Sequence, residues 1–567
     1  MNIEDLLDRL EARKLAFGTV AADEILRLLD IVEQTVLFDA PSLVRLHEAL
    51  LFVRAYPQSR TVMARSERML RAFAGRVASL RESSAELDAL DPPEVSGIAG
   101  TAVNALFSYE IVRWLVRRHA PQISIDWDDY EHEARLAETL PRFLPLLADD
   151  SLVEAHVPVH DWLEAARPRG RHELPWLIDR FESLPVSEAE KQELYSSLKL
   201  AVRWKPRLHA STRTGNRLPR SWSGKAFFHT EPLLQRRDVS LQRELSGERF
   251  ALQKLAPDDG MRFLDLARTT SLVRYRELHG FTYGDPRHVY CCEFGRGVCM
   301  YLNGVAPDRR LPLRAYHSGM MFKNGVPIGY VEGLSFFERM EIGFNLYYTF
   351  REGETAWLYA RMLKLFRQVL GIRCVSVDPY QLGHGNDEGL ESGAFWFYRK
   401  LGFRPTDPRV RDLMVREERK ISAKPGYRTP PATLRKLVVG SMLYEVDSAV
   451  SGSWDRFQVR NLGLAVQRNI ASCFGGDAAA AQESSASSVA PGIGLDRTAL
   501  SRGERQALDN LALVAALVPG LERWAKEERT LLAQIIRAKG LREESAYLRL
   551  MQRHESLRRA WIEIGSR

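Results

Sequence analysis

Carboxylates on two adjacent predicted strands are the residues best suited to acid–base chemistry. From Arg339 to Phe350 apolar and polar residues alternate, which is typical of a strand with one buried face and one open face. Glu341 lies on the open face, and Glu332 lies in the preceding strand, Val326 to Ser335. Because a carboxylate flanked by apolar strand residues is partly desolvated, we expect a raised pKa that suits a general base. The alternative for each is a salt-bridged or solvent-facing strand residue.

Polar side chains near these carboxylates could orient a substrate. Asn345 and Tyr347 follow Glu341 at intervals of two, so they share its face of the predicted strand. Glu332 could contact the substrate from the neighbouring strand. We therefore expect a substrate site on the open face of this part of the sheet.

A turn that leads from this strand into a helix is the second chemical feature. The turn is Arg351-Glu352-Gly353-Glu354-Thr355, and the residues after it have the spacing of an amphipathic helix: Ala356, Ala360, Leu363, Phe366 and Leu370. The first N–H groups of a helix have no partner within the helix, and they bind phosphate and other anions well. The sequence thus predicts an anion site at Gly353.

The order of predicted elements around this turn is hairpin, strand, turn, helix, strand and helix. The hairpin turns at Lys323-Asn324-Gly325, with Asn-Gly at the positions that need positive φ. The first helix is expected to end at Gly371 in a left-handed conformation. The last helix is expected to run from about Asn386 to Leu401, and its end reads AFWFYRKLGF, residues 394–403. This order, and above all the final Phe-Tyr-x-x-x-Gly-Phe, resembles the GNAT superfamily of N-acetyltransferases. The resemblance covers at most Leu264 to Pro405. It implies a central mixed sheet with flanking helices and transfer of an acyl group to an amine.

The resemblance also implies roles for individual residues. Tyr398 would be the acid that reprotonates the departing thiolate, and acetyl-coenzyme A or another acyl-coenzyme A would be the donor. The residues that would hold its pyrophosphate are Arg351, Gly353, Thr355 and Ala356. The family's pyrophosphate loop begins with Gln or Arg and ends with Gly or Ala. When the two are aligned on Gly353, this chain has Phe350 and Thr355 at those two positions. Arg351 and Ala356, which would match the pattern, each follow one residue later.

Three functions therefore stay open. The first is an acyl-coenzyme A-dependent N-acyltransferase acting on a small-molecule or protein amine. The second is an aminoacyl-tRNA-dependent transferase on the same fold. The third is a non-catalytic module that binds a ligand or a partner.

The rest of the chain is predicted to be mostly helical, giving an α+β/α fold class. We expect a large all-helical N-terminal region, a central GNAT-like sheet and a C-terminal helical bundle of about three helices. The expected boundaries are a helical domain at 1–200, a basic linker at 201–240, the GNAT-like domain at 241–450, a low-complexity linker at 451–494 and the bundle at 495–567.

The segment Arg203 to Lys225 is basic and contains no carboxylate. Two interpretations are open: a solvated linker, or an arm that binds the phosphates of a coenzyme, of tRNA or other RNA, or of another nucleic acid. In the second interpretation Trp204 and Trp222 could stack on bases.

Composition narrows the class of protein. The 567 residues carry a net charge of +7, and 45% are hydrophobic and 27% charged, as in globular proteins. No run is apolar enough to span a bilayer, and the acidic start differs from a signal peptide, so we expect a cytoplasmic protein without membrane partners. The cysteines are few and lack spaced Cys-x-x-Cys pairs, and the histidines lack ligand spacing, so free thiols and no metal are expected.

Overall fold

A computed structural model describes residues 2–37, 39–83, 96–144, 159–206, 211–222, 224–447, 450–541 and 543–567. The chain divides into two compact units. The first comprises Met1–Pro232, Arg262–Thr282 and Asn324–Pro327, and the second comprises Leu233–Met261, Tyr283–Lys323 and Ile328–Arg567. Each unit is therefore built from segments that are far apart in sequence.

Helices make up most of the first unit. They are α1 (Ile3–Arg13), α2 (Thr19–Gln34), α3 (Ala40–Ala55), α4 (Arg60–Arg71), α5 (Phe73–Ser83), α6 (Tyr109–His119), α7 (Glu133–Thr139), α8 (Val159–Ala166), α9 (Glu173–Glu182) and α10 (Glu188–Leu198). Helix α10 begins after Ser187, where Ser187 and Glu190 cap each other's backbone N–H groups in a capping box.

The expectation that the N-terminal region is all helical is wrong. Three short strands, β1 (Val103–Ala105), β2 (Ile123–Ile125) and β3 (Val202–Trp204), form an antiparallel sheet in the order β1-β3-β2. Trp204 is fully buried in the core around this sheet, together with Leu272 and Val273 from later in the chain. Strands this short, with two or three apolar residues each, carry too weak a period to stand out among helices.

The basic segment Arg203 to Lys225 is largely packed where it is described; residues 207–210 and 223 lie outside the described residues. Its polar residues Thr212, Thr214 and Asn216 are buried. The solvated-linker interpretation therefore does not hold for this stretch. Stacking of Trp204 on bases is also excluded, because its indole is in the core.

A nine-stranded mixed sheet forms the centre of the second unit. Its strands are β4 (Leu252–Lys254), β5 (Gly284–Gly295), β6 (Val298–Val305), β7 (Ala315–Lys323), β8 (Val326–Phe336), β9 (Arg339–Leu346), β10 (Cys374–Val377), β11 (Arg404–Pro405) and β12 (Met442–Glu445). The order is β11-β12-β10-β9-β8-β7-β6-β5-β4. The β9–β10 pair is parallel. The other pairs with a defined register are antiparallel.

The helices after the first unit's α10 complete the fold. They are α11 (Leu241–Ser246), α12 (Pro257–Leu272), α13 (His279–Thr282), α14 (Thr355–Leu370), α15 (Pro379–Leu382), α16 (Asp387–Glu391), α17 (Ala394–Lys400), α18 (Pro408–Ala423), α19 (Pro431–Leu437), α20 (Val459–Phe474), α21 (Ala478–Gly492), α22 (Arg502–Ala515), α23 (Lys526–Gly540), α24 (Glu544–Met551) and α25 (Glu555–Gly565). No helix in the described ranges combines the length and apolar character needed to cross a membrane.

The predicted alternation in β9 is confirmed as far as Leu346: its even-numbered residues are buried and its odd-numbered residues are half-buried. Beyond Leu346 the prediction of a strand to Phe350 is wrong, because Tyr348–Phe350 form a 3-10 turn with Tyr348 exposed. The turn at Asn324 and Gly325 has the predicted positive φ angles, 49° and 77°.

The helix expected from Asn386 to Leu401 is broken into α16 and α17. Gly393 lies between them with φ 68°, a left-handed conformation that cannot continue a right-handed helix. The predicted left-handed end of α14 at Gly371 is confirmed, with φ 72°.

The low-complexity linker expected at 451–494 is instead mostly helical. It contains α20 and α21, and Ala481, Ala486 and Val489 of α21 are buried. Alanine favours helix strongly, so an Ala-rich segment folds once a neighbour covers one of its faces. The C-terminal bundle has four helices, α22 to α25, rather than about three.

Candidate active site

A wide cleft of the second unit lies on the face of the sheet that carries Glu341. It has a volume of about 900 Å³. Strands β8, β9 and β12 form its floor, and the starts of α18 and α20 and the segment from Trp454 to Gln458 form its walls. Five arginines and four carboxylates line it: Arg314, Arg339, Arg409, Arg456, Arg460, Glu341, Asp378, Asp407 and Asp455. Such a cleft suits a polar substrate.

Glu341 reaches this cleft because of its register in the sheet. Its backbone pairs with Leu334 of β8 and Ser376 of β10. Its carboxylate lies 3.7 Å from Arg314 and 3.9 Å from Arg339, and the side chain is 33% exposed. Both distances exceed a hydrogen bond, so the carboxylate has charge partners and still has lone pairs that can accept a proton from a substrate.

Arg339 forms part of the cleft floor and is held by aromatic rings. Its guanidinium lies over Trp454 and Phe457, 5.8 and 5.5 Å from the ring centroids. Burial lowers the pKa of Arg339. Stacking of this kind fixes the plane of a guanidinium and leaves its edge available to a carboxylate or an anionic ligand.

The other predicted substrate-binding residues lie near Glu341 on the same part of the sheet. Glu332 pairs with Gly343 and Asn345 pairs with Tyr330, so both side chains are on the face of Glu341. Burial raises the pKa of Glu332, as expected for a strand carboxylate, and the Tyr316 hydroxyl donates a hydrogen bond to it. Tyr347 follows the strand and is buried against Tyr330.

The predicted anion site is at the start of α14. The residue before the helix, Glu354, makes no capping bond through its side chain. The Thr355 hydroxyl donates to the carbonyl of Arg351, and the Arg351 guanidinium lies 2.6 Å from Glu388. The first N–H groups of α14 thus have no side-chain cap among the described residues, and they fit an anionic group.

Glu354 is fully buried beside this helix start, and its charge is balanced. One carboxylate oxygen lies 2.6 Å from Arg296 and the other 3.6 Å from Lys323, while the backbone N–H of Leu234 donates to the first. Burial lowers the pKa of Lys323 to about 7. Because Arg296 neutralises this carboxylate, it leaves the helix start favourable for an anion.

Tyr398 lies on the other side of the sheet from Glu341. Its ring packs against Tyr359 of α14 and Phe403, and Tyr359 contacts Phe344, which points away from the cleft. Tyr398 is 4% exposed, and burial raises its pKa. The structure therefore groups Glu341, Glu332 and Asn345 on one face of the β8–β9 part of the sheet and places Tyr398 behind the other face.

Sequence reasoning missed most of the cleft. Arg314 and Arg339 were not singled out, and Trp454 to Arg460 lie in a segment expected to be a linker. Trp454 to Arg460 are more than a hundred positions from Glu341 in the sequence, and no local pattern connects them to it. The aromatic Trp454 in an otherwise polar stretch is the one signal that could have drawn attention to this segment.

Comparison of the chain with protein-family models, curated proteins and solved structures finds no match. Within the described ranges no group of three or more His, Cys, Asp or Glu side chains is arranged to hold a metal ion.

Proposed function

We propose that this protein is an N-acyltransferase that transfers an acyl group from acyl-coenzyme A to an amine. The observation that carries the proposal is the path of β9. This strand presents Glu341 to the cleft, and it then leads through a short turn into the uncapped start of α14. Strand β9 thus connects the proposed base for the amine with the segment that leads to the proposed phosphate site. The part of the strand from Glu341 to Leu346 is roughly 17 Å long.

The parallel pairing of β9 with β10 supports the same proposal. The ladder between them ends at Glu341 and Ser376, although β9 continues to Leu346. Beyond that point the neighbour of β9 is the short helix α15, since a side chain at Gly343 would approach Gln381. The edge of β9 beyond Glu341 is therefore not paired with β10. The order of hairpin, strand, turn, helix and parallel strand agrees with a GNAT-like fold for this region, which we include in the proposal.

The chain's own residues would have the following roles. Bound acyl-coenzyme A would supply the thioester carbonyl that the amine attacks and the thiolate that leaves. Glu341 would accept the proton of the attacking amine, and Arg314 and Arg339 would hold a polar part of the acceptor in the cleft. Arg351, Gly353, Thr355 and Ala356 would bind the pyrophosphate. The resemblance alone gives Tyr398 the role of acid, since its buried ring lies across the sheet from Glu341.

The test is calorimetric titration of the full chain with acetyl-coenzyme A. We expect binding by the wild type and loss of binding in Gly353→Trp, because an indole at this turn blocks the start of α14. The matched control is Gly75→Trp, since Gly75 is an exposed helical glycine with open space around its Cβ position. Absence of binding up to millimolar coenzyme, with the protein folded, would reject the proposal.

A second candidate function is an aminoacyl-tRNA-dependent transferase. It is favoured by an arginine-rich cleft in the first unit, in which the segment Thr214 to Arg220 takes part. Titration with tRNA in parallel with acetyl-coenzyme A separates the two candidates: binding of tRNA without binding of the coenzyme would favour this one.

A further inference from the structure

A second arginine-rich cleft belongs to the first unit, whereas the proposed transfer site belongs to the second. It has a volume of about 700 Å³ and lies between α4, the end of α3 and the segment from Thr214 to Arg220. Its lining includes five arginines, Arg54, Arg68, Arg71, Arg217 and Arg220, and Glu67 is the one carboxylate that the described part of the chain contributes. The cleft therefore has a large excess of positive charge.

Arg54 is the central residue of this cleft. It is 5% exposed, and its Nη1 donates to the carbonyl of Thr214 at 2.9 Å. Its Nε and Nη2 groups are buried and have no hydrogen-bond partner among the described residues. Burial lowers the pKa of Arg54 to about 10, so it stays charged at neutral pH. A buried cation with two unused donors is costly unless an acceptor binds to it.

The carboxylates of the residues that the structure describes do not satisfy this charge. Glu67 pairs with Arg217 at 2.7 Å, and Arg68 pairs with Glu33 outside the cleft at 3.3 Å. The Nε of Arg217 is also buried without a partner in the described part of the unit. The unused polar atoms of Arg54 and Arg217 are all N–H donors, so the missing partner is an acceptor, and the excess of arginine makes it an anion.

The cleft is held in a fixed shape by a buried network behind it. The Thr214 hydroxyl accepts a hydrogen bond from the backbone N–H of Ala99 at 2.9 Å and lies 2.9 Å from Nε2 of His47. The other ring nitrogen of His47 lies 3.0 Å from Glu48, and Glu48 also pairs with Arg213. Since Thr214 also holds Arg54 through its carbonyl, the donors of the cleft are positioned before any ligand arrives.

We infer that this cleft binds a phosphate group. Several guanidinium groups converge on one place, and guanidinium matches phosphate oxygens with paired, charge-assisted hydrogen bonds. A phosphate carries more charge and more acceptor oxygens than a single carboxylate, which suits a cleft with five arginines and one glutamate. The group belongs either to a small phosphorylated molecule or to the backbone of RNA, and these two sources share the same chemistry. The inference does not depend on transfer from acyl-coenzyme A, and RNA as the source of the phosphate would agree with the second candidate function.

The experiment titrates the full chain with pyrophosphate and, separately, with a single-stranded RNA of twenty nucleotides. The test variant is Arg71→Gln combined with Arg220→Gln, because both residues are exposed and their replacement leaves the buried network intact. The matched control is Arg169→Gln, an exposed arginine outside the cleft. Arg54→Met tests the central residue, with circular dichroism to verify that it folds.

Each outcome decides the inference. Pyrophosphate binding that weakens at least tenfold in the double variant and not in the control supports it and identifies a small phosphorylated ligand. RNA binding that weakens in the same way, with a shallower dependence on salt and without pyrophosphate binding, supports it and identifies a polynucleotide. If neither ligand binds, or if binding is the same in the double variant as in the wild type, the inference is wrong.

Discussion

Glu341, the proposed general base, lies on the open face of a strand, 3.7 and 3.9 Å from two arginines. We predict that Glu341→Gln lowers kcat by about 10² to 10⁴-fold, because an amide of the same shape cannot take a proton. Binding of acetyl-coenzyme A should be unchanged. The measurement is release of the coenzyme thiol with an acceptor selected from small amines and lysine-containing peptides.

The control for this prediction is Glu293→Gln, which changes an exposed carboxylate on β5 of the same sheet. It should retain the wild-type rate. An unchanged rate in Glu341→Gln would exclude Glu341 as the base and would leave Glu332, whose pKa burial raises, as the next carboxylate to test.

His317 on β7 should make the stability of the protein depend on pH. Burial lowers its pKa to about 4, whereas an unfolded histidine has a pKa of about 6.5. Below pH 6.5 the unfolded chain binds a proton that the folded chain does not bind. The stabilisation that comes from keeping His317 neutral in the folded protein is therefore fully present above pH 6.5. The free energy of unfolding falls by about 3 kcal/mol as the pH falls to 4.

The check is urea unfolding at pH 7 and pH 4.5 for the wild type and His317→Leu. The variant should lose less stability between these two values than the wild type, because leucine does not titrate. The exposed His384 provides the control, and His384→Leu should follow the wild type. Equal losses in His317→Leu and the wild type would mean that His317 does not carry this dependence.

At the scale of elements, the C-terminal helix α25 is attached to the end of the central sheet. Trp561 is fully buried, and its ring is parallel to that of Phe336, with centroids 5.7 Å apart. Glu338, at the turn after β8, accepts hydrogen bonds from Trp454 and Arg558. Aromatic packing and a buried charge pair thus join the same two elements.

We predict that Trp561→Ala lowers the free energy of unfolding by about 3 to 5 kcal/mol, since it removes a large side chain from a closed site. Tyr348→Ala should change it by less than about 0.5 kcal/mol, because Tyr348 is 74% exposed. Chemical denaturation of both variants measures the difference. A small loss in Trp561→Ala would mean that α25 unfolds separately from the sheet.

Some strands, turns and helix ends of this protein could be predicted from the sequence, and others could not. The alternation in β9, the turn at Asn324 and the end of α14 at Gly371 were predictable, because each follows from a period or from a residue that tolerates positive φ. The break at Gly393 was missed because the apolar residues on either side of it keep a helical spacing. Helix α21 was missed because its alanines and serines resemble a linker until a partner covers them. The cleft walls at Trp454 could not be predicted, since only the folded sheet brings them near Glu341.

At the scale of the whole molecule, the boundaries expected from composition differ from the compact units. The first unit includes Arg262–Thr282, from which Leu272 and Val273 enter its core. We predict that a fragment of residues 1–240 lacks the cooperative thermal unfolding of the full chain's first unit, because this part of its core stays open to water. Circular dichroism during heating measures the transition.

The matched fragment is 1–282, which contains the missing core residues and should regain a cooperative transition. If 1–240 unfolds as cooperatively as 1–282, the helix that ends at Leu272 is dispensable for the first unit, and the boundary at residue 240 is the correct one.

The interleaving of the two units has a consequence for biosynthesis. The first unit needs residues up to Pro327, which leave the ribosome about 95 residues after Pro232. At 5–20 residues per second this is a delay of roughly 5 to 20 s. During that time the N-terminal helices are outside the exit tunnel with part of their core uncovered, and residues of the second unit are already emerging. The first unit therefore completes its folding only after part of the second has emerged, whereas the second unit waits for residues up to Arg567. Nascent chains paused before residue 262 are the species most in need of a chaperone.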